Sequence, residues 1–123
     1  MVFDHIGFNV TDFSRMKAFL SSALAPLGMS ITKEGAGWAM VGRAGEGQLW
    51  FGSFGGSPGP IHVAFAAQNR DQVRKFYAAA LAAGGKDNGA PGLRPHYHAN
   101  YYGAFVIGPD GHNFEAVCHA SEA

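Results

Sequence analysis

Three side chains of this sequence could together hold a transition metal: His5, His62 and Glu115. Neutral imidazole nitrogens and a carboxylate oxygen are all metal donors, and three protein ligands leave coordination positions open for water or substrate. Zinc would accept such a set, and so would iron(II), manganese(II), nickel(II) or cobalt(II). The three lie far apart in the chain, and spacing alone does not join them. A repeat does more. Shifting the sequence by 57 positions places His5-Ile6-Gly7-Phe8 on His62-Val63-Ala64-Phe65, Phe19 on Phe76, Leu24 on Leu81 and Gly28 on Gly85. The bland reading stays open beside this one: strand histidines and a strand glutamate can be buried polar groups satisfied by ordinary hydrogen bonds.

Each half opens with a short apolar segment, residues 3–10 and 61–67, which reads as a strand. Polar starts follow at 11–14 and 68–71, where a side-chain oxygen can cap a helix. The helices carry apolar residues at i, i+3, i+4, i+7 and i+8: Met16, Phe19, Leu20, Ala23 and Leu24, then Val73, Phe76, Tyr77, Ala80 and Leu81. Gly28 and Gly84-Gly85 stop them. Strands are expected at 29–34, 38–43 and 48–54 in the first half. The second half offers a weak strand near Lys86, a long loop over 88–100, and strands at 101–107 and 112–119 joined by a turn at 108–111. The chain is thus one α+β domain of two βαβββ modules, 1–55 and 60–120, the second carrying about eight extra residues. The connection 52–60, rich in Gly, Ser and Pro, is the expected hinge.

Side chains alternate along strands, so parity separates packing from chemistry. Ile6, Phe8 and Val10 form one face of the first strand, and His5, Gly7 and Asn9 the other. Val63 and Phe65 oppose His62, Ala64 and Ala66. Phe114, Ala116 and Cys118 oppose Glu115, Val117 and His119. The apolar faces must meet the helix stripes, and the other faces line a shared concavity. Trp50 is the first-half counterpart of Glu115. Trp50, Trp38, Tyr101 and Phe105 serve as packing or as walls of a substrate pocket. His96 and His98 read as solvated loop residues, His112 as solvent-facing, His119 as at most a support near the terminus, and Cys118 as an inert buried thiol.

Composition excludes several classes. Over 123 residues, 47% are hydrophobic and 15% charged, which rules out an intrinsically disordered chain. Nine basic residues balance nine acidic ones, arguing against a nucleic-acid partner. No apolar run is long enough to span a bilayer, and residues 1–5 lack the pattern of a secretory signal. With Cys118 as the single cysteine, a reducing cytoplasm is the expected compartment.

The chain resembles the vicinal oxygen chelate superfamily, which includes glyoxalase I, bleomycin-resistance proteins, fosfomycin-resistance thiol transferases and extradiol dioxygenases. The resemblance rests on Asp4-His5-Ile6-Gly7-Phe8-Asn9-Val10, on Ile61-His62-Val63-Ala64-Phe65 and on Gly108-Pro109-Asp110-Gly111-His112-Asn113-Phe114-Glu115. It implies a cup of paired modules with helices on the outer face, around one divalent metal held by His5, His62 and Glu115. It also implies homodimers in which modules of two chains complete each site. Trp50 departs from the glyoxalase I pattern, where a fourth protein ligand would stand, because indole cannot ligate a metal. Lys33, Arg43 and Arg94 are the nearest cations to a phosphonate-binding set, and their positions do not match one. The expected function is a metal-dependent lyase, isomerase or transferase acting on a small molecule through vicinal oxygens. Trp50, Phe105, Trp38 and Asn9 would line its pocket, and Tyr101 or His98 would handle a proton. Two alternatives stand beside it. One is an extradiol-type dioxygenase. The other is a metal-free, ligand-sequestering protein whose cleft is built from Trp38, Trp50, Phe54, Tyr101 and Tyr102.

Overall fold

The computed structural model describes residues 5–53, 55, 57 and 59–121. The first module runs β1 (Ile6–Asn9), α1 (Phe13–Leu24), a 3₁₀ turn (Ala25–Leu27), β2 (Ser30–Gly35), β3 (Trp38–Gly42) and β4 (Leu49–Gly52). The second runs β5 (His62–Ala66), α2 (Arg70–Ala82), β6 (Lys86–Leu93), β7 (Tyr102–Ile107), a 3₁₀ turn (Pro109–Gly111) and β8 (Asn113–Cys118). Phe3 and Asp4, expected to open the first strand, and Phe54, expected to close the third strand after α1, lie outside the described residues.

Two four-stranded mixed sheets result, ordered β1-β4-β3-β2 and β5-β8-β7-β6, each with one parallel pair and two antiparallel pairs. The registers make the repeat physical. Gly7 pairs with Trp50 in the first sheet, and Ala64 pairs with Glu115 in the second. Equivalent residues are therefore 57 apart at the first strand and 65 apart at the last, so eight residues are inserted between them.

Local chemistry explains the helices. Asp12 caps α1 by accepting from the Arg15 amide at 3.1 Å, and Asn69 caps α2 by accepting from the Gln72 amide at 2.8 Å. All five stripe residues of α1 are buried, as are Val73, Phe76 and Ala80 of α2, with Tyr77 and Leu81 half-buried. The chain after α1 turns at Gly28, whose left-handed φ of 76° suits a residue without a Cβ. The helices pack against each other and against both sheets, so a single core crosses the modules. Phe19 of α1 meets Phe114 of β8 at 5.7 Å between ring centroids. At the end of β1, the Thr11 amide donates to Asp110 at 2.9 Å. At the other end, Arg43 donates to the carbonyls of Leu27 (2.9 Å) and Ala66 (3.1 Å), spanning the two modules.

Three sequence expectations are corrected. Ile6 is 44% exposed although it shares the parity of the buried Phe8 and Val10. At this end β1 borders an open cleft of about 290 Å³ with Phe65 and Met29 instead of the α1 stripe. The loop expected at 88–100 is strand as far as Leu93. Gly89, Pro91 and Gly92 hide it, because they interrupt alternation, yet an edge strand tolerates them at irregularities of register between Asp87 and Gly92.

His112 is the third. It is fully buried, not solvent-facing: its Nδ1 accepts from the Ile61 amide at 2.9 Å, and its ring meets the Phe8 ring edge-on at 4.9 Å. The ring thus staples β1 to the start of β5. Burial pushes the imidazole pKa below its ordinary value of 6.5, against the smaller opposing pulls of the Asn9 backbone and Asp110. The unfolded chain then binds a proton near pH 6.5 that the folded chain refuses, so stability should be full above that pH and fall as pH drops below it. Melting temperatures taken from about pH 8 to 5 check this; an H112Q variant should flatten the decline over that window.

Candidate functional site

The second sheet presents its chemistry on the face away from α2. Register places Glu115 between Ala64 on β5 and Phe105 on β7, with Gly89 beyond Phe105 on β6. His62, two residues before Ala64, lies on the same face. Glu115 is 1% exposed and held from both sides. His62 Nε2 stands 2.8 Å from its Oε1, and the Tyr101 hydroxyl donates to its Oε2. Gly103 makes the second contact possible: a Cβ there would lie 3.2 Å from the Tyr101 ring and 3.4 Å from Oε2. Burial, first, and then the hydrogen bond to the Glu115 carboxylate and its charge hold the Tyr101 phenol well above its ordinary range. Tyr101 therefore keeps its proton at neutral pH and fixes the carboxylate's orientation.

Aromatic rings surround this core. Phe105 lies 6.2 Å from the His62 ring. Tyr101 meets Tyr97 at 4.8 Å, His98 at 5.4 Å and His119 at 5.3 Å, all roughly edge-to-face. His98 and His119 are both exposed, as expected of a loop residue and a residue near the terminus; in addition His98 Nε2 and His119 Nδ1 are in hydrogen-bond contact, and both rings lie edge-on to Tyr101. His96 is exposed, its ring tilted against that of Tyr97 at 4.2 Å between centroids.

The first module contributes differently. Trp50 occupies the place equivalent to Glu115, its ring lying over Gly7, where a Cβ would come within 3.2 Å. An indole offers no metal lone pair there. Trp38 covers Gly35 at the β2–β3 end of the sheet, and Asn9 closes β1 opposite Gly52. His5 lines the intermodule cleft with Ile6, Gln48, Arg43 and the segment from Val63 to Ala66. The structure brings His62, Glu115, Tyr101, Phe105 and His98 together, and His5 does not join His62 and Glu115 in a three-donor cluster. Among the described residues, no three of His, Cys, Asp and Glu gather in one place to hold a metal. No described helix is long and apolar enough to cross a membrane.

Comparison with known proteins gives this architecture its class. Residues 2–116 match the model of the Glyoxalase/Bleomycin resistance protein/Dioxygenase superfamily, and the chain belongs to that superfamily. A glyoxalase/bleomycin resistance protein from Albidiferax ferrireducens T118 is similar over 98% of this chain and 100% of its own, at 25% identity and a TM-score of 0.83. A glyoxalase/bleomycin resistance protein/dioxygenase family enzyme from Burkholderia phytofirmans PsJN shares the fold at 17% identity and a TM-score of 0.74, over 97% of this chain and 100% of its own. A glyoxalase-related enzyme from Fulvimarina pelagi does so at 15% identity and 0.71, over 93% and 86%. No curated protein matches the sequence.

Proposed function

We propose that this chain is a small divalent-metal-dependent enzyme of the glyoxalase-like type, working on a small molecule through vicinal oxygens. The observation that carries this reading is the pair formed by His62 and the buried Glu115 on the concave face. Imidazole nitrogen and carboxylate oxygen 2.8 Å apart can both turn to one cation at about 2.0–2.2 Å, the ion replacing the hydrogen bond between them. That fits two of the three expected ligands. His5, placed elsewhere within its own chain, would come from a second copy, so the active form is a homodimer with shared sites.

The bound metal would supply Lewis-acid stabilisation of negative charge on the substrate's oxygens, commonly worth several kcal/mol. The chain's own residues do the rest. Tyr101 orients Glu115 through its hydroxyl, as an outer hydrogen bond orients a metal ligand. Phe105 and, from the first module of the second copy that brings His5, Trp50 would form apolar walls that exclude water and strengthen electrostatics inside. His98, packed on Tyr101 and paired with His119, is placed to relay a proton to solvent. The compartment we propose is the cytoplasm.

Two further readings have support. Both Glu115 oxygens are already satisfied by His62 and Tyr101, so the protein needs no metal to bury this carboxylate; a metal-free sequestering role is consistent with that. A two-histidine, one-carboxylate set also suits iron(II) and oxygen chemistry of the extradiol type.

Metal content measured by mass spectrometry on untagged protein separates these readings. The enzyme reading expects near-stoichiometric transition metal, or its uptake on reconstitution, and loss of it in both H5A and H62A. Iron would favour dioxygenase chemistry; manganese, nickel or zinc would favour isomerase or transferase chemistry. Refolding H5A and H62A together should restore binding at about a quarter of the sites if each site draws on two chains. Unchanged metal content in both variants sinks the ligand assignment.

A further inference from the structure

Arg94 is a cation without an acid. It sits just beyond β6, half-buried, and among the described residues it forms no ion pair. Its guanidinium is nevertheless fixed. One terminal nitrogen donates to the Gly92 carbonyl at 2.8 Å, the other to the Ala90 carbonyl at 2.9 Å, and the group lies 5.4 Å over the Phe105 ring. Phe105 is the register partner of Glu115, so the charge is held on the concave face, over the residue that neighbours the buried carboxylate.

The backbone makes room for it. A Cβ on Gly89 would come within 3.0 Å of one terminal nitrogen of Arg94 and 2.9 Å of Phe105, and a Cβ on Gly92 within 3.2 Å of the other nitrogen. Two glycines in an edge strand, one at φ 151°, leave a cradle that the guanidinium fills. The Nε–H and one N–H on each terminal nitrogen stay available, in the fork geometry that matches an oxyacid. Lys33 is exposed on β2, and Arg43 is committed to Leu27 and Ala66, so neither takes this part.

We propose that Arg94 is the anion-recognition residue of the second-module face around Glu115, and that the molecule bound there carries a carboxylate or phosphonate group. This rests on the reading above only in taking the face around Glu115 as the substrate site. Orienting an acid group on Arg94 would direct the rest of the molecule across Phe105 toward His62 and Glu115.

Binding of benzoate, phenylphosphonate and neutral benzamide, followed by calorimetry and by the Arg94 Nε–H resonance, tests this on chelator-treated and on zinc-treated protein. At least one anion should bind the wild type and shift that resonance, with benzamide much weaker. R94Q should weaken the anion by about ten- to a hundred-fold and leave benzamide unchanged; R94K should fall between, keeping the charge but losing the fork. Circular dichroism confirms that each variant is folded, with R94K as the second probe should R94Q unfold. Preference for benzoate or for phenylphosphonate names the acid. Equal binding of benzoate and benzamide, equal anion binding in R94Q, or no anion binding by the wild type overturns the proposal. Because the chelator-treated arm needs no metal, failure of zinc to bind would count against the metal-enzyme reading and leave the Arg94 result to stand or fall by itself.

Discussion

Glu115→Gln should cut affinity for a divalent transition metal by about a hundred-fold or more while the folded protein survives. Losing an outer hydrogen-bond partner of a metal ligand already costs roughly 10–100-fold, and losing the ligand's own charge costs more. The amide preserves shape: its oxygen can still accept from Tyr101, and its nitrogen can donate to His62 in the other tautomer. The neutral side chain also removes the carboxylate that helps raise the Tyr101 phenol, so Tyr101 should ionise at lower pH, though burial, the larger cause, keeps it elevated. Metal titration with a chromophoric competitor reads the first effect, and phenolate absorbance during alkaline titration reads the second. Wild-type metal affinity in E115Q would remove Glu115 from the ligand set. An unchanged Tyr101 titration would contradict the hydrogen bond.

Phe114→Ala should be the most damaging single truncation for stability, costing about 3–5 kcal/mol. Phe114 is fully buried, and its ring meets Phe8 at 6.2 Å and Phe19 at 5.7 Å in the first module, and Phe65 at 6.4 Å and His112 at 6.1 Å in the second. Its removal opens a cavity where both modules and α1 converge, and neighbours belonging to three elements cannot all relax into it. For a domain of this size the midpoint should fall by roughly 10–20 °C. Thermal and urea unfolding check this; a loss under about 1 kcal/mol would mean that the intermodule core is not packed as described. The variant also displaces the neighbour of Glu115, so weaker metal uptake in F114A would be an expected consequence.

Much of the fold was legible because it is written locally. The stripes Met16-Phe19-Leu20-Ala23-Leu24 and Val73-Phe76-Ala80 are buried because residues three and four apart share a helix face whatever lies beyond it. The caps at Asp12 and Asn69 need only the next three residues. Strand parity put Cys118 on the packed face and Glu115 on the concave one, and the internal repeat made Trp50 the counterpart of Glu115 before any register was known.

What parity and repetition do not carry is how strands and modules meet. β6 was hidden because a partner strand, β7, supplies its hydrogen bonds, and glycines that spoil alternation are tolerated at an edge. His112 reads as a surface residue beside a turn glycine; only the docking of β1 against β5 buries it against Phe8. Arg94 reads as one loop cation among several until Gly89, Gly92 and Phe105 close around it.

The sequence by itself determined the two βαβββ modules, their helix-facing cores and the residue types on each concave face, because period and parity depend on neighbours a few positions away. The tertiary structure decided which of those residues meet. It joined His62, Glu115 and Tyr101 and left His5 beside Arg43 and Ala66. Contacts between segments distant in sequence, such as Thr11 with Asp110 and Phe19 with Phe114, set how the modules dock. A repeat specifies each half alike and is silent on the angle between them.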